Sequence, residues 1–171
     1  MNEDVHVRVA TPQDFKGVMD LAMMVAKENG IFEPDINMVI NDIWPALHGE
    51  RGLIGVIGNP GEDLQGFVLL RIGNLWYSQA EIIEEKTVFV APKFRSAKGG
   101  RARKLCEFSK KVSDELGLPL IIGVVSNHRT KGKEGLYNRL FGPPAGAFWL
   151  YGARTGGWGS SDQEAASAGE K

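Results

Sequence analysis

Val88-Phe89-Val90-Ala91-Pro92-Lys93-Phe94-Arg95-Ser96-Ala97-Lys98-Gly99-Gly100-Arg101-Ala102 holds the strongest structural signal in this chain. It opens as a β-rich run and breaks at Ala91-Pro92, because proline has no amide to give a ladder. It then crosses a loop with paired glycines and enters a basic helix. Such a junction favours an anion: free N–H groups at a helix N-terminus point outward together, and the macrodipole adds about half a positive charge. Glycines let a phosphate approach the backbone. Between residues 93 and 111, Lys93, Arg95, Lys98, Arg101, Arg103, Lys104, Lys110 and Lys111 stand against Glu107 alone, in a chain of net charge -1. A solvated basic helix face is the plain alternative for a charge run. The glycines at a strand-to-helix junction add weight to phosphate binding.

Outward from this stretch, residues 82–90 read as a strand, and residues 53–57 and 65–73 are two further β-rich runs. Gly58-Asn59-Pro60-Gly61 separates the latter pair and predicts an antiparallel hairpin. Residues 6–10 alternate in the strand sense. Thr11-Pro12-Gln13-Asp14 then supplies an N-cap, a proline at the first helical position and an acid three residues after the cap. Phe15, Val18, Met19, Ala22, Val25 and Ala26 follow at helical spacing up to Asn29-Gly30, a stop signal. Residues 35–47 repeat the pattern through Ile36, Val39, Ile40 and Ile43, with Trp44-Pro45 near the end.

Downstream, Ala102, Leu105, Ser109, Val112 and Leu116 make the apolar stripe of a third helix ended by Gly117, with Arg103, Lys104, Glu107 and Lys111 opposite. Residues 119–125 are almost continuously apolar, which predicts a central strand buried on both faces. Residues 134–140 predict a short helix and the aromatic residues 147–153 a last strand. From Thr155 onward Gly, Ser, Ala and Glu dominate, which predicts a disordered tail anchored only by Trp158. The order β-α-α-β-β-β-α-β-α-β describes an α/β domain over residues 1–154, a mixed sheet with helices on its faces, and a flexible tail over residues 155–171.

Composition agrees with one globular domain: 171 residues, 43% apolar and 24% charged, with 22 Gly and 8 Pro. Collagen, coiled coil and wholesale disorder are excluded. No run approaches the roughly 20 apolar residues of a membrane span, and Met1-Asn2-Glu3-Asp4 has neither a basic n-region nor an apolar h-region, so a cytoplasmic address is expected. The single cysteine, Cys106, and three histidines, His6, His48 and His128, allow no internal disulfide and no zinc-type cluster. Cys106 reads as a small buried apolar residue. Trp44, Trp76 and Trp149 read as core or as groove wall rather than a base-stacking platform.

Neither Gly-x-x-x-x-Gly-Lys-Ser/Thr nor Gly-x-Gly-x-x-Gly is present, so the two familiar nucleotide loops are excluded. The stretch instead resembles motif A of the GNAT superfamily of acetyl-CoA-dependent N-acyltransferases, a strand ending Val-x-Pro followed by Arg/Gln-x-x-Gly-x-Gly/Ala. Val90-Ala91-Pro92 and Arg95-Ser96-Ala97-Lys98-Gly99-Gly100 occupy those places, with Lys98 standing where the first motif glycine is expected. The element order agrees over residues 5 to about 153. The resemblance implies a mixed, mostly antiparallel sheet of six to seven strands flanked by about four helices, with the fourth and fifth strands splayed apart.

It also implies that acetyl-CoA is the co-substrate, with no metal. Phe89, Val90 and Ala91 would face its pantetheine arm. The backbone amides of Arg95, Ser96, Ala97, Lys98, Gly99 and Gly100 would hold the pyrophosphate, with the Lys98 and Arg101 side chains adding charge. Lys93, Arg103 and Lys104 are candidates for the adenosine 3′-phosphate. The Val90 N–H would polarise the thioester carbonyl. Glu84 falls where histone-acetyltransferase members carry a general base, six residues before Val90 and, by period two, on the same face. Asn127 and Tyr137 match the residues after the fifth strand and on the following helix; Tyr137 would protonate the thiolate, its alternative being a core aromatic.

The activity implied is acetyl transfer to an amine by direct attack in a ternary complex. Asp35, Asn37, Asp42, Glu81 and Glu84 offer a negative lining for a small-molecule or protein amine acceptor. A homodimer through the last strands is a further expectation, and no membrane partner is expected. Two other readings stand beside this one: a GNAT-like structural or regulatory acyl-CoA-binding module without catalysis, and a nucleic-acid surface formed by the basic residues from Lys93 to Lys111.

Overall fold

A buried carboxylate organises the N-terminal third of the chain. Asp14 accepts hydrogen bonds of 2.8 Å from both terminal nitrogens of Arg8 and one of 2.9 Å from the Thr11 N–H. Arg8 also donates through Nε to the Gly58 carbonyl at 2.8 Å. One ion pair therefore joins the first strand, the first helix start and the hairpin turn.

The computed structural model describes residues 5–96, 100–124, 126 and 129–156. Within them β1 (Val7–Val9) leads through a short 3-10 turn to α1 (Phe15–Asn29) and α2 (Ile36–Leu47). The Asp35 side chain caps α2 by accepting from the amides of Asn37 and Met38. The meander β2 (Gly52–Ile57), β3 (Gly66–Asn74) and β4 (Glu81–Val90) follows, then α3 (Arg101–Leu116), β5 (Leu120–Ile121) and α4 (Thr130–Phe141). The strands lie in the order β1-β2-β3-β4-β5, antiparallel throughout except for the parallel pair β4-β5.

The sheet separates two apolar layers. On one face Val18 and Leu21 of α1 and Ile43 and Leu47 of α2 meet Ile54, Val56, Phe67, Leu69 and Phe89. On the other, Leu105, Cys106 and Val112 of α3 meet Val68, Leu70, Ile83, Val88 and Val90, with Leu136, Tyr137, Leu140 and Phe141 of α4 packed against them. Gly66 allows β3 to press against the end of β4: a Cβ there would lie 2.7 Å from the Phe89 carbonyl oxygen.

Several expectations are corrected. Residues 119–125 do not form a central buried strand. β5 is two residues long, lies at the sheet edge, and leaves Ile121 41% exposed. Its ladder ends because β4 carries a bulge immediately beyond the paired Glu84, and the Gly123 amide serves the Glu85 carboxylate instead of a strand.

No strand forms among residues 147–153, so the sheet has five strands rather than six or seven among the described residues. Phe148, Trp149 and Tyr151 are exposed there, and Trp76 is exposed too, so neither Trp76 nor Trp149 is a core residue. The last helix is longer than expected, beginning at Thr130. At the C-terminal end, Thr155 donates to the Ser126 carbonyl and the Gly156 amide to that of Gly30; Trp158 lies outside the described residues.

Asp14→Asn should cost about 2–3 kcal/mol, below the roughly 3–5 of a fully buried pair because Arg8 keeps some contact with water. The hydrogen bonds from Arg8 hold the Asp14 carboxyl below the usual carboxylate range. Its contribution is thus complete above about pH 4 and is lost as pH falls through the lowered value. Urea melts of wild type and variant should converge in acid, and a constant gap between them down to about pH 2 would contradict this account.

Candidate functional site

The site begins where β4 and β5 part. They pair only at Ile83↔Leu120 and Glu84↔Ile121, held by the Ile83 amide donating to the Pro119 carbonyl at 2.8 Å. Beyond the bulge, the Ala91 amide donates to the Gln65 carbonyl, so the backbone groups of Ala91 face β3. By strand alternation those of Val90 and Val88 face away from β3, into the gap. The Val90 carbonyl there accepts from Arg95 Nε at 2.8 Å.

Across the gap stands α4, and between lies a cavity of about 620 Å³. Phe89, Val90, Arg95, Ser96, Arg101 and Tyr137 all line it beside Val88, so among the described residues the structure brings six of the sequence-predicted site residues to one cavity. Its charge is cationic: Arg95, Arg101, Arg129 and Lys133 against Glu28. Arg95 is fixed by a 2.8 Å ion pair with Glu28 and by stacking over Phe89 at 5.1 Å. Arg101 donates to the Gln65 side chain at 2.6 Å. Gly100 caps α3 at φ 63°, a left-handed conformation natural to glycine, and gives the helix start no side-chain cap.

Ala91 does not line this cavity; it borders a separate one of about 360 Å³ beneath the α1 start. Ala97, Lys98, Gly99 and Asn127 lie outside the described residues. Lys93 and Arg103 are engaged elsewhere, with Asp63 at 2.8 Å and Glu107 at 2.7 Å.

Glu84 is not on the face of Val90. β3 and β4 pair as Leu69↔Thr87 and Leu70↔Glu85, so Lys86 is an extra residue, and period two fails across it. Leu70 and Val68 belong to the α3 face, and their partners Glu85 and Val88 lie on it with Val90; Glu84, opposite Arg71, lies on the α1/α2 face. Glu84 also pairs with Lys86 at 2.9 Å. The carboxylate turned inward is Glu85, only 9% exposed. It lines a neighbouring cavity of about 240 Å³ with Glu84, Lys133 and Tyr137. Only the bulge marks Glu85, and a bulge is a relation between two strands that no single segment displays.

Burial pushes the Glu85 carboxyl up to about 8, against Lys133 and the Gly123 amide, which pull it down. Burial likewise lowers the Lys133 ammonium while Glu85 raises it. The Tyr137 phenol is raised by burial, then by Glu85, so it keeps its proton across the neutral range. Cys106 is pushed up to about 12, chiefly by burial, and stays a thiol. Among the described residues no group of His, Cys, Asp and Glu could hold a metal ion, and no helix is long and apolar enough to cross a membrane.

The proposed acidic lining is not a collected charge. Asp42 lies 3.9 Å from Arg71, Glu81 3.2 Å from Arg51, and Asp35 caps a helix.

No protein-family model matches the chain, and no curated protein matches it in sequence. Solved structures do match it. AAC(6')-Iy, in complex with the bisubstrate analogue CoA-S-monomethyl-acetylneamine, superposes with a TM-score of 0.65 at 14% identity, covering 87% of this chain and 97% of that one. This is the GNAT fold. A Trypanosoma brucei acetyltransferase has the GNAT fold with a TM-score of 0.62 at 17% identity, over 86% of this chain and 97% of that one. The ribosomal-protein-alanine N-acetyltransferase from Brucella melitensis biovar Abortus 2308 follows at 0.61 and 14%, over 85% and 96%. At such identities the likeness is one of GNAT architecture, spanning nearly the whole of each of these chains.

The raised Glu85 has a stability signature. Between about pH 4.3, its unfolded value, and about 8, the native chain binds more protons than the unfolded one, so stability falls as pH rises. Glu85→Gln should remove that decline, leaving the variant relatively more stable in melts at about pH 9 than at about pH 6. Parallel melting curves across this window would show Glu85 to be solvated.

Proposed function

We propose that the protein is an N-acetyltransferase that takes the acetyl group from acetyl-CoA and passes it to an amine in a ternary complex. One observation carries the reading: a cavity opened by the splay of β4 from β5, flanked by the Val90 main chain and the α3 start, and lined among the described residues by four cations against one carboxylate. An elongated polyanion with an amide-bearing arm suits those three features together. The GNAT fold, seen in a neighbour bound to a CoA conjugate, supports the same ligand.

In this reading the Val90 N–H donates to the oxygen of the thioester as negative charge develops there. Arg95, Ser96, Gly100 and Arg101 hold the pyrophosphate with the intervening Ala97, Lys98 and Gly99, while Phe89, Val90 and Ala91 flank the pantetheine arm. Tyr137, half-buried and protonated, supplies the proton to the departing thiolate. Asn127, three residues before α4 in the sequence, keeps the assisting role that the resemblance implies. The base that takes the amine proton is Glu85 rather than Glu84, because Glu85 lies on the Val90 face within the buried wall while Glu84 pairs with Lys86. Glu85 acts once ionised, so the rate rises with pH through about 8. The acceptor is a small-molecule or protein amine, and the site of action is the cytoplasm.

A catalytically silent acyl-CoA-binding module is the second reading, favoured by Lys98 at the first motif glycine. Thermal shift with acetyl-CoA tests binding: saturation at about 100 times Kd should add about 2.7 kcal/mol, visible as a raised Tm and lost in Gly100→Trp. No rise in the wild type would end the acetyl-CoA reading. Thiol release with a panel of amines separates enzyme from module. Glu85→Gln should lower kcat/KM by about 100-fold or more and abolish the rise near pH 8, and Tyr137→Phe should lower kcat by about 10–100-fold. Glu84→Gln should change either by less than about threefold; the reverse ranking would return the base to Glu84.

A further inference from the structure

Val88, Lys133 and Tyr137 line both the 620 Å³ cavity and the 240 Å³ one, so they stand where the two meet. Lys133 and Tyr137 are four residues apart on α4 and present the same helical face. Among the described residues Lys133 is the lysine that lines the larger cavity, whereas Lys16, Lys93 and Lys111 are exposed and paired with Asp20, Asp63 and Glu115. Glu85, on the facing strand, acts on Lys133 through space, as do Glu28, Arg129 and Arg95.

We propose that Lys133 is itself an acyl acceptor: with no amine bound, its Nζ attacks the acetyl thioester held in the cavity, and the chain acetylates itself at this position. The inference rests on the acetyl-CoA reading above. In the step, the Nζ–C amide bond forms as the C–S thioester bond breaks. The proton lost by the lysine nitrogen passes to the Glu85 carboxylate, and the sulfur leaves as a thiolate that takes a proton from Tyr137. The products are acetyl-lysine and free CoA, with no further reactant. Burial supports the step, because it lowers the Lys133 ammonium and raises the share of neutral amine over that of a surface lysine. The product amide carries no charge, so Glu85 loses the pull of the Lys133 cation and holds its proton more firmly. Self-acetylation thereby restrains the base.

The test is incubation of the full chain with acetyl-CoA and no acceptor, followed by intact mass and peptide mapping. Binding is measured on the same preparation by calorimetry. Lys133 should gain one acetyl group, approaching one per chain, at least tenfold faster than Lys16 and Lys111, which report uncatalysed acetylation. The excess should vanish in Gly100→Trp, in urea-unfolded protein and in Lys133→Arg, and fall at least tenfold in Tyr137→Phe. Acetyl-CoA binding with Lys133 no faster than Lys16 would overturn self-acetylation and leave the transferase reading intact. Absence of binding would overturn both.

Discussion

The extra residue at Lys86 in β4 is the constraint on which the site depends. Before it, Ile83 and Glu85 lie on the α3 face; after it, Val88 and Val90 do, and Glu84, Thr87 and Phe89 face α1 and α2. An unbroken strand could not place both Glu85 and Val90 on one face, since five intervening steps reverse the side. The same irregularity ends the ladder with β5 after two pairs, and the resulting gap becomes the cavity wall. A local defect in pairing thus opens the groove, aims Val90 into it and turns a carboxylate inward.

Charge is sorted by burial around that groove. On the outer surface cations find carboxylates: Lys93 with Asp63, Arg103 with Glu107, Arg51 with Glu81. Such exposed pairs contribute little to stability, at most about 1 kcal/mol each. In the cavity the balance is one-sided, with Glu28 facing Arg95, Arg101, Arg129 and Lys133. Low dielectric makes each of those charges act further than it would in water. In the neighbouring cavity burial disfavours ionised Glu85 and Tyr137, so both favour their neutral forms there.

What the amino-acid sequence determined by itself was local. Thr11-Pro12-Gln13-Asp14 set a helix start, Gly58-Asn59-Pro60-Gly61 a hairpin, and Gly117 a helix stop, because caps and turns depend on residues a few positions apart. The strand, break and basic helix around residues 88–102 marked the cavity wall, and Tyr137, which the resemblance implied, lines the same cavity. Tertiary structure decided the rest. The apolar run after Pro119 has the composition of a central strand, yet position in a sheet is set by partners, and among the described residues β5 found one neighbour. The aromatic run from Phe148 to Tyr151 likewise met no strand to pair with among the described residues. Glu85 and Lys133 carry no motif; a bulge and a helix bring them to the lining of one cavity, where desolvation rather than residue type governs their protons.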